Sequence, residues 1–434
     1  MDAFAQYILR HENDDIARLL LSSSGEEGID LHLAADTLRA RRVLNEKVPS
    51  FYRNPALVYP GHLCVEQCSS EDTARFKAGL ALQLFHECGG SGSPRIADLT
   101  GGLGVDAWAF SSVAQAVLHN EANAALSEAV LHNFEALGIS NVRFCCYRLA
   151  PSANSRYTSQ EEASPQQILG DFRPDILFLD PARRDDRGGK VFRLQDCSPN
   201  ILELKDALFS QARFLFLKLS PMADLQTLLR ELGPRCRVLC LVGSKGECKE
   251  VLVWMERKFE GVPEIRVREA ETEMSSSPET FRFTFEEEKG APLPLADSME
   301  EICTLPCLFE PGKALLKSGA FKLIALRFGL KKLAASTHLY LGERDRMPLL
   351  WGKAYEILEP VQEMSSRSIK ETGKRYPEAD VTARNLPLSS DDLRKKLKKE
   401  GKSGGEGLHL FAATCECLSG EKKKLLLLTR RIRP

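Results

Sequence analysis

The run Asp98-Leu99-Thr100-Gly101-Gly102-Leu103-Gly104 sets one acid, one hydroxyl and three glycines between an apolar strand-like run and a helix-like run. Glycines take backbone torsions, and allow close approaches, that a side chain would block. A helix opening at Gly104 and Val105 aims its free N–H groups at whatever lies over the turn. An acid, a hydroxyl and free backbone N–H groups suit a ligand that carries both a carboxylate and an amino group. Nineteen residues after Gly102 stands Glu121, followed by Ala122. An acid at the end of the next strand has lone pairs for both hydroxyls of a ribose. Asp180-Pro181-Ala182-Arg183-Arg184 ends the very apolar run Ile176-Leu-Phe-Leu179. An ionisable group there is costly without a reason.

Together these residues read as a nucleoside site. Ala107 would satisfy the third position of a dinucleotide fingerprint, but a pyrophosphate does not want Asp98 beside it. The pattern therefore favours S-adenosyl-L-methionine over a dinucleotide. The cofactor set is Asp98, Thr100, Gly101, Gly102, Gly104, Val105, Glu121 and Ala122. The catalytic set is Asp180, Pro181 and Arg183, beside the methyl donor. Arg183, Arg184 and Arg187 either hold a phosphate or substrate carboxylate, or pair with Asp185 and Asp186. Lys218, in Lys218-Leu-Ser-Pro221, either points at the cleft or caps the sheet. Gly243 to Lys249 forms either a pocket wall or a tight turn. Cys197 lies where a nucleophile for pyrimidine methylation could stand, but no motif surrounds it.

These residues need a parallel sheet to bring them together, and the chain offers one. Short apolar runs at 96–100, 116–119, 141–146, 175–180 and 213–219 alternate with helical segments at 105–113 and 123–137. Such alternation predicts an α/β fold with a Rossmann-like, doubly wound sheet. Val238–Val242 and Val251–Met255 read as a closing antiparallel pair at one edge. Residues 1–90 read as a helical N-terminal region, with a loop-rich connection from Pro49 to Pro60 and a helix capped by Ser69 or Ser70. Residues 91–256 form the nucleoside-binding domain and 257–360 a small α+β domain. That domain has strands at 265–267 and 281–285 and a helix at 313–328. Residues 361–434 form a basic module, with a helix over 389–399 and a hairpin pairing 408–414 with 424–430.

With 434 residues, the chain exceeds one hydrophobic core. Its hydrophobic and charged fractions, 43% and 27%, are ordinary for a soluble protein. No apolar run is long enough for a membrane span, and residues 1–30 lack signal-peptide character, so a cytoplasmic location is expected. The 13 cysteines show no zinc-knuckle spacing, so reduced thiols and no metal site are expected. The net charge of −1 conceals an asymmetry. Residues 306–434 hold 26 Lys and Arg against 15 Asp and Glu, a net +11, so the preceding residues carry −12. A basic module on an acidic body suits a polyanionic partner, unless the lysines only solubilise exposed helices.

The order D-x-x-x-G-x-G, Glu121 and Asp180-Pro-Ala-Arg183 resembles class I S-adenosylmethionine-dependent methyltransferases. The segment Asn133-Phe-Glu-Ala-Leu-Gly-Ile-Ser-Asn-Val142 resembles one carried by many RNA methyltransferases. Over nearly its whole length the chain resembles a bacterial methyltransferase family with a ferredoxin-like middle domain and a THUMP-like C-terminal domain. The resemblance rests on Glu66-Gln-Cys-Ser-Ser-Glu-Asp-Thr-Ala74, the Asp98 loop, Asp180–Arg184, Lys218–Met222 and Gly246-Glu-Cys-Lys-Glu250. Glu310-Pro-Gly-Lys-Ala314 and Ala383-Arg-Asn-Leu-Pro-Leu388 complete it. It implies tRNA or rRNA as substrate, because THUMP domains bind RNA. Two departures stand out. Ala182 and Arg183 replace the proline and aromatic that amino-group methyltransferases of nucleic acid use to hold a flipped base. The acid expected after the third strand, which binds the adenine amino group, is not at Tyr147–Ala150, leaving Glu161, Glu162, Asp171 or a backbone group. The alternatives to RNA methylation are a protein or small-molecule acceptor, or a non-catalytic RNA-binding protein on the same frame.

Overall fold

The structure, a computed structural model, describes residues 3–21, 28–61, 63–151, 162–183, 193–244, 246–269, 279–397 and 407–433. It falls into two compact units, residues 1–240 with 250–263 and residues 241–249 with 264–434.

Seven strands, lying chiefly in the first unit, belong to the sheet that carries the glycine loop. They are β1 (Arg95–Asp98), β2 (Ala116–Asn120), β3 (Val142–Cys145), β4 (Ile176–Leu179), β5 (Phe214–Leu219), β6 (Cys236–Ser244) and β7 (Glu247–Glu256). Their order across the sheet is β3-β2-β1-β4-β5-β7-β6. Strands β1 to β5 run parallel, and β7 runs antiparallel to β5 with Leu252 opposite Lys218. The order reverses between β1 and β4, and at such a point the loops diverge and leave a crevice over the strand ends. The expected closing pair is present, but β7 inserts between β5 and β6 instead of adding at the edge. Its pairing with β5 is non-local and leaves no periodic trace in the sequence.

Strand β4 is buried on both faces, as its unbroken apolar run requires. A train of rings crosses this core: Phe110 on Phe178 at 5.0 Å, Phe178 on Phe216 at 5.7 Å, and Phe216 on Trp254 at 5.6 Å between centroids. Edge and tilted contacts of this kind add to the area they bury.

The N-terminal region is helical as expected, its longest members being Leu31–Lys47 and Glu71–Glu87. Ser70 caps the second of these by accepting from the Thr73 N–H, which leaves Ser69 for another role. Within the connection read as loop, Pro49–Tyr52 forms a helical turn with proline at its first position. The Ala124–Ala136 helix is bonded to this region by His132, on the Ala56 carbonyl at 3.0 Å, by its Ala136 carbonyl, which accepts from the Asn54 amide at 3.2 Å, and by Asn133. Buried Asn133 accepts from the Val58 N–H at 2.8 Å and donates to the Val58 carbonyl at 2.9 Å.

In the second unit, β8 (Glu264–Glu269) and β9 (Phe281–Phe283) pair antiparallel. Phe285, read as strand, instead opens a helix behind a Thr284–Glu287 capping box. A separate sheet contains β10 (Cys307–Pro311), β11 (Lys331–Ala334), β12 (Thr337–Gly342), β13 (Gly352–Ile357), β14 (Asp380–Arg384), β15 (Leu408–Glu416) and β16 (Lys422–Arg431). Their order is β11-β12-β10-β13-β16-β15-β14. The single helix read over 313–328 is two, Lys313–Ser318 and Phe321–Phe328, parted at Gly319, whose φ of +82° suits glycine. The terminal helix is shorter than read, Ser390–Lys396, capped by Ser389. The hairpin of β15 and β16 is present and antiparallel.

Replacing Asn133 strips both backbone groups of Val58 of their partner. Asn133→Ala is therefore expected to lower unfolding stability by about 2–4 kcal/mol. Urea unfolding checks this, and an unchanged midpoint would remove the clamp from the account.

Candidate functional site

The glycine loop is shaped by what lies beneath it. Strand register puts Asp98 opposite His119 on β2. A Cβ at Gly101 would sit 2.0 Å from the His119 ring, so only glycine fits there. The Gly101 N–H donates to the Asn120 carbonyl at 2.8 Å, and the Gly104 N–H to the Gly101 carbonyl at 2.9 Å. Gly104 has a φ of +78° and leaves no room for a Cβ against Val130 and Phe134. Gly102, at +52°, has nothing within 4 Å of where its Cβ would lie, so open space adjoins it.

Glu121 joins this loop directly. One carboxylate oxygen accepts from the Gly102 N–H at 2.8 Å, the other from the Asn123 N–H at 2.8 Å. Each oxygen keeps a lone pair, and the residue is half-exposed. Ala122 beside it is half-exposed and Val105 is buried. Buried Asn120 clamps the floor, donating to the carbonyls of Leu99 and Tyr147 at 3.1 and 3.0 Å and accepting from the Tyr147 N–H at 3.1 Å.

The third expected element is tied in as well. The Asp180 N–H donates to the Thr100 hydroxyl at 2.6 Å, so the ends of β1 and β4 are fastened together. Pro181 is buried and Ala182 exposed. The backbone of Ala182–Arg183 pairs antiparallel with Cys197–Ser198. The Arg183 side chain, all of Arg184, Asp185, Asp186, Arg187 and Glu161, and most of the 151–165 loop lie outside the described residues. Of the acids proposed for the adenine, exposed Asp171 is ion-paired with Arg143. The Lys218 ammonium bonds the Asp180 carboxylate, which joins the ends of β4 and β5. The Gly243–Lys249 segment is a tight connection, since β6 ends at Ser244 and β7 begins at Glu247.

Four acids surround the loop. Burial, then Asp106, pushes the Asp98 carboxyl well above the usual carboxylate range, with Asp180 and Glu121 adding to the rise against the Thr100 N–H. The Thr100 N–H donates to Asp98 at 3.0 Å. A cation placed here would relieve this repulsion, and a pyrophosphate would aggravate it.

Sequence reasoning missed a buried ionic cluster behind the site. Lys77 is wholly buried and donates to both oxygens of Glu250, at 2.9 and 3.0 Å, and to the Ser69 hydroxyl at 2.9 Å. Asp106 lies 3.1 Å from the same ammonium and accepts from Ser69 at 2.8 Å. A signal existed: Lys77 interrupts the helical stripe Ala74, Ala78, Ala81, a position where a lysine must find buried acids. Among the described residues no group of His, Cys, Asp and Glu is arranged to hold a metal ion, and no helix is long and apolar enough to cross a membrane.

Sheet order, reversed final strand and a glycine loop tied to acids on β2 and β4 define a Rossmann-like, class I methyltransferase fold. The sequence profile of a ferredoxin-like domain matches residues 308–347, and that of a THUMP-like domain matches 352–431. A protein of Porphyromonas gingivalis W83, assigned by inference to the methyltransferases, is similar over 99% of this chain and 98% of its own, at 29% identity and a TM-score of 0.79. The family resemblance thus holds along the whole chain. The ribosomal protein L11 methylase of Lactobacillus delbrueckii subsp. bulgaricus matches 47% of this chain and 83% of its own, at 15% identity and a TM-score of 0.29. The 16S rRNA N2 G1207 methyltransferase of T. thermophilus, solved with AdoMet and guanosine, matches 42% of each chain, at 16% and 0.27. No curated protein matches the chain.

His119 yields a pH prediction. Burial alone lowers its pKa to about 4, and neither ring nitrogen has a hydrogen-bond partner. In the unfolded chain the ring takes a proton near pH 6.5; in the folded one it does not. Stability therefore falls on acidification from about 6.5 to 4, by about 3 kcal/mol in total. In His119→Gln this contribution vanishes. Thermal melts across that range should show the wild type losing more than the variant; parallel losses would refute a neutral, buried His119.

Proposed function

We propose that this protein is a cytoplasmic methyltransferase that binds S-adenosyl-L-methionine and methylates RNA of the tRNA or rRNA class. The observation that carries the cofactor reading is the Gly102–Glu121 bond. It sets a half-exposed carboxylate with spare lone pairs against open space above a glycine turn. The residues present fit the group. Glu121 and Ala122 take the ribose side. Asp98, Thr100, Gly101, Gly102, Gly104 and Val105 take the amino-acid side, where the buried acid suits an ammonium. When bound, the cofactor supplies a methyl group on a positively charged sulfur, already a strong electrophile. The protein's part is alignment and exclusion of water. Asp180, fixed through Thr100, orients the acceptor with Pro181, and Arg183 holds phosphate.

The RNA reading is supported by the THUMP-like match and by the +11 charge of residues 306–434. Affinity from that source weakens with salt as counterions are retained.

Asp98→Ala is expected to abolish S-adenosylmethionine binding in calorimetry; unchanged affinity would reject the loop assignment. In extracts of a strain lacking the protein, methyl label from the cofactor is expected to enter RNA when the wild-type chain is added. Label confined to protein would reject RNA as acceptor.

A further inference from the structure

Asp180 and Lys218 form the exposed front of a four-residue alternation of charge along the strand ends. Leu179 pairs with Leu217, so Asp180 and Lys218 are neighbours in register on β4 and β5. Leu252 on β7 lies opposite Lys218, so Glu250, two residues away and on the same face, is its diagonal neighbour. Glu250 in turn is held by Lys77. Exposure is graded along this line: the Asp180 side chain is 34% exposed, Lys218 14%, Glu250 6% and Lys77 0%. The rear pair is sealed, and only the front pair reaches the crevice where an acceptor would sit.

The charges in front discriminate between acceptors. A neutral amine that attacks a sulfonium acquires positive charge, and an ammonium bonded at that spot raises the barrier. The position of the aromatic that would hold a flipped base in an amino-group methyltransferase is taken by Arg183, which is not a ring. A hydroxyl is the opposite case. It must lose its proton, and an ammonium lowers the energy of the negative charge that develops on oxygen.

We propose that the acceptor is a ribose 2′-hydroxyl of RNA, with Asp180 receiving its proton and Lys218 donating a hydrogen bond to the same oxygen. This rests on the reading of the protein as an RNA methyltransferase. The O–H bond breaks and its proton passes to an Asp180 carboxylate oxygen. The new O–CH3 bond forms as the bond from methyl carbon to sulfur breaks, leaving its electron pair on sulfur. Asp180, a third exposed, returns the proton to solvent. Glu250, with Lys77 and Asp106 behind it, acts as a positioning residue that keeps Lys218 forward and charged. Burial opposes that charge, but Asp180, then Glu250 and Asp106, outweigh it and hold the ammonium above its ordinary pKa.

The test uses the full chain, tritium-labelled cofactor and RNA from a strain lacking the protein, followed by alkaline hydrolysis of the RNA. A 2′-O-methyl blocks cleavage at its own linkage, so ribose label is expected in alkali-resistant dinucleotides. Lys218→Met should lower the single-turnover rate by about 10²–10³-fold. Its cofactor affinity in calorimetry should stay at the wild-type value, which also reports an intact fold, and Lys218→Arg should recover part of the rate. Label in mononucleotides would overturn the proposal and leave RNA methylation standing. No label in RNA from the wild type would overturn both. Ribose label with an undiminished Lys218→Met rate would remove the lysine from the chemistry.

Discussion

The backbone of Gly101 rests directly on the His119 ring, and the site takes its shape from that contact. Because the ring occupies the space of a Cβ, the chain can leave β1 only along one path, with its N–H turned to the Asn120 carbonyl. That path presents the Gly102 N–H to Glu121 and the Thr100 hydroxyl to Asp180. Three strand ends are thereby held in one frame. The ring serves this role only while neutral, and its complete burial keeps it so. The floor is an aromatic cluster, with Phe134 and Phe144 packed around the same imidazole at 6.4 and 5.6 Å.

Behind this frame lies a different kind of constraint. A buried ion cluster contributes little net stability, because desolvation offsets attraction, but losing one member leaves the others costly. Lys77 lies at hydrogen-bond or ion-pair distance from both Glu250 and Asp106. It therefore fixes the mutual position of the Glu71–Glu87 helix, the helix after the glycine loop and β7 more than it stabilises the fold. Specificity of arrangement is what a cleft with opposed charges at its rim requires.

Much of this was legible in the sequence. The apolar runs of β1, β2, β4 and β5 and the glycine turn are local signals, and local signals survive in one chain. Asp98, Glu121 and Asp180 were legible because each stands at the end of an apolar strand, where an ionisable group needs a reason. What was not legible depends on distance along the chain. Lys77 and Glu250 are 173 residues apart, and neither the insertion of β7 between β5 and β6 nor the pairing of Asp180 with Lys218 has a periodic signature. Smaller errors came from rules outweighed locally. Gly319 divides a continuous helical pattern, and the Thr284 capping box turns Phe285 from strand to helix.

The Thr100 hydroxyl, accepting the Asp180 N–H at 2.6 Å, has a consequence for how such a protein could be altered. The residue in the loop that would face the cofactor is also the peg on which the acid that would face the acceptor hangs. Any substitution that retunes one half of the crevice displaces the other. An engineer seeking a new acceptor would have to leave Thr100 alone and work beyond Pro181, and an engineer seeking a new cofactor could not begin there without moving Asp180.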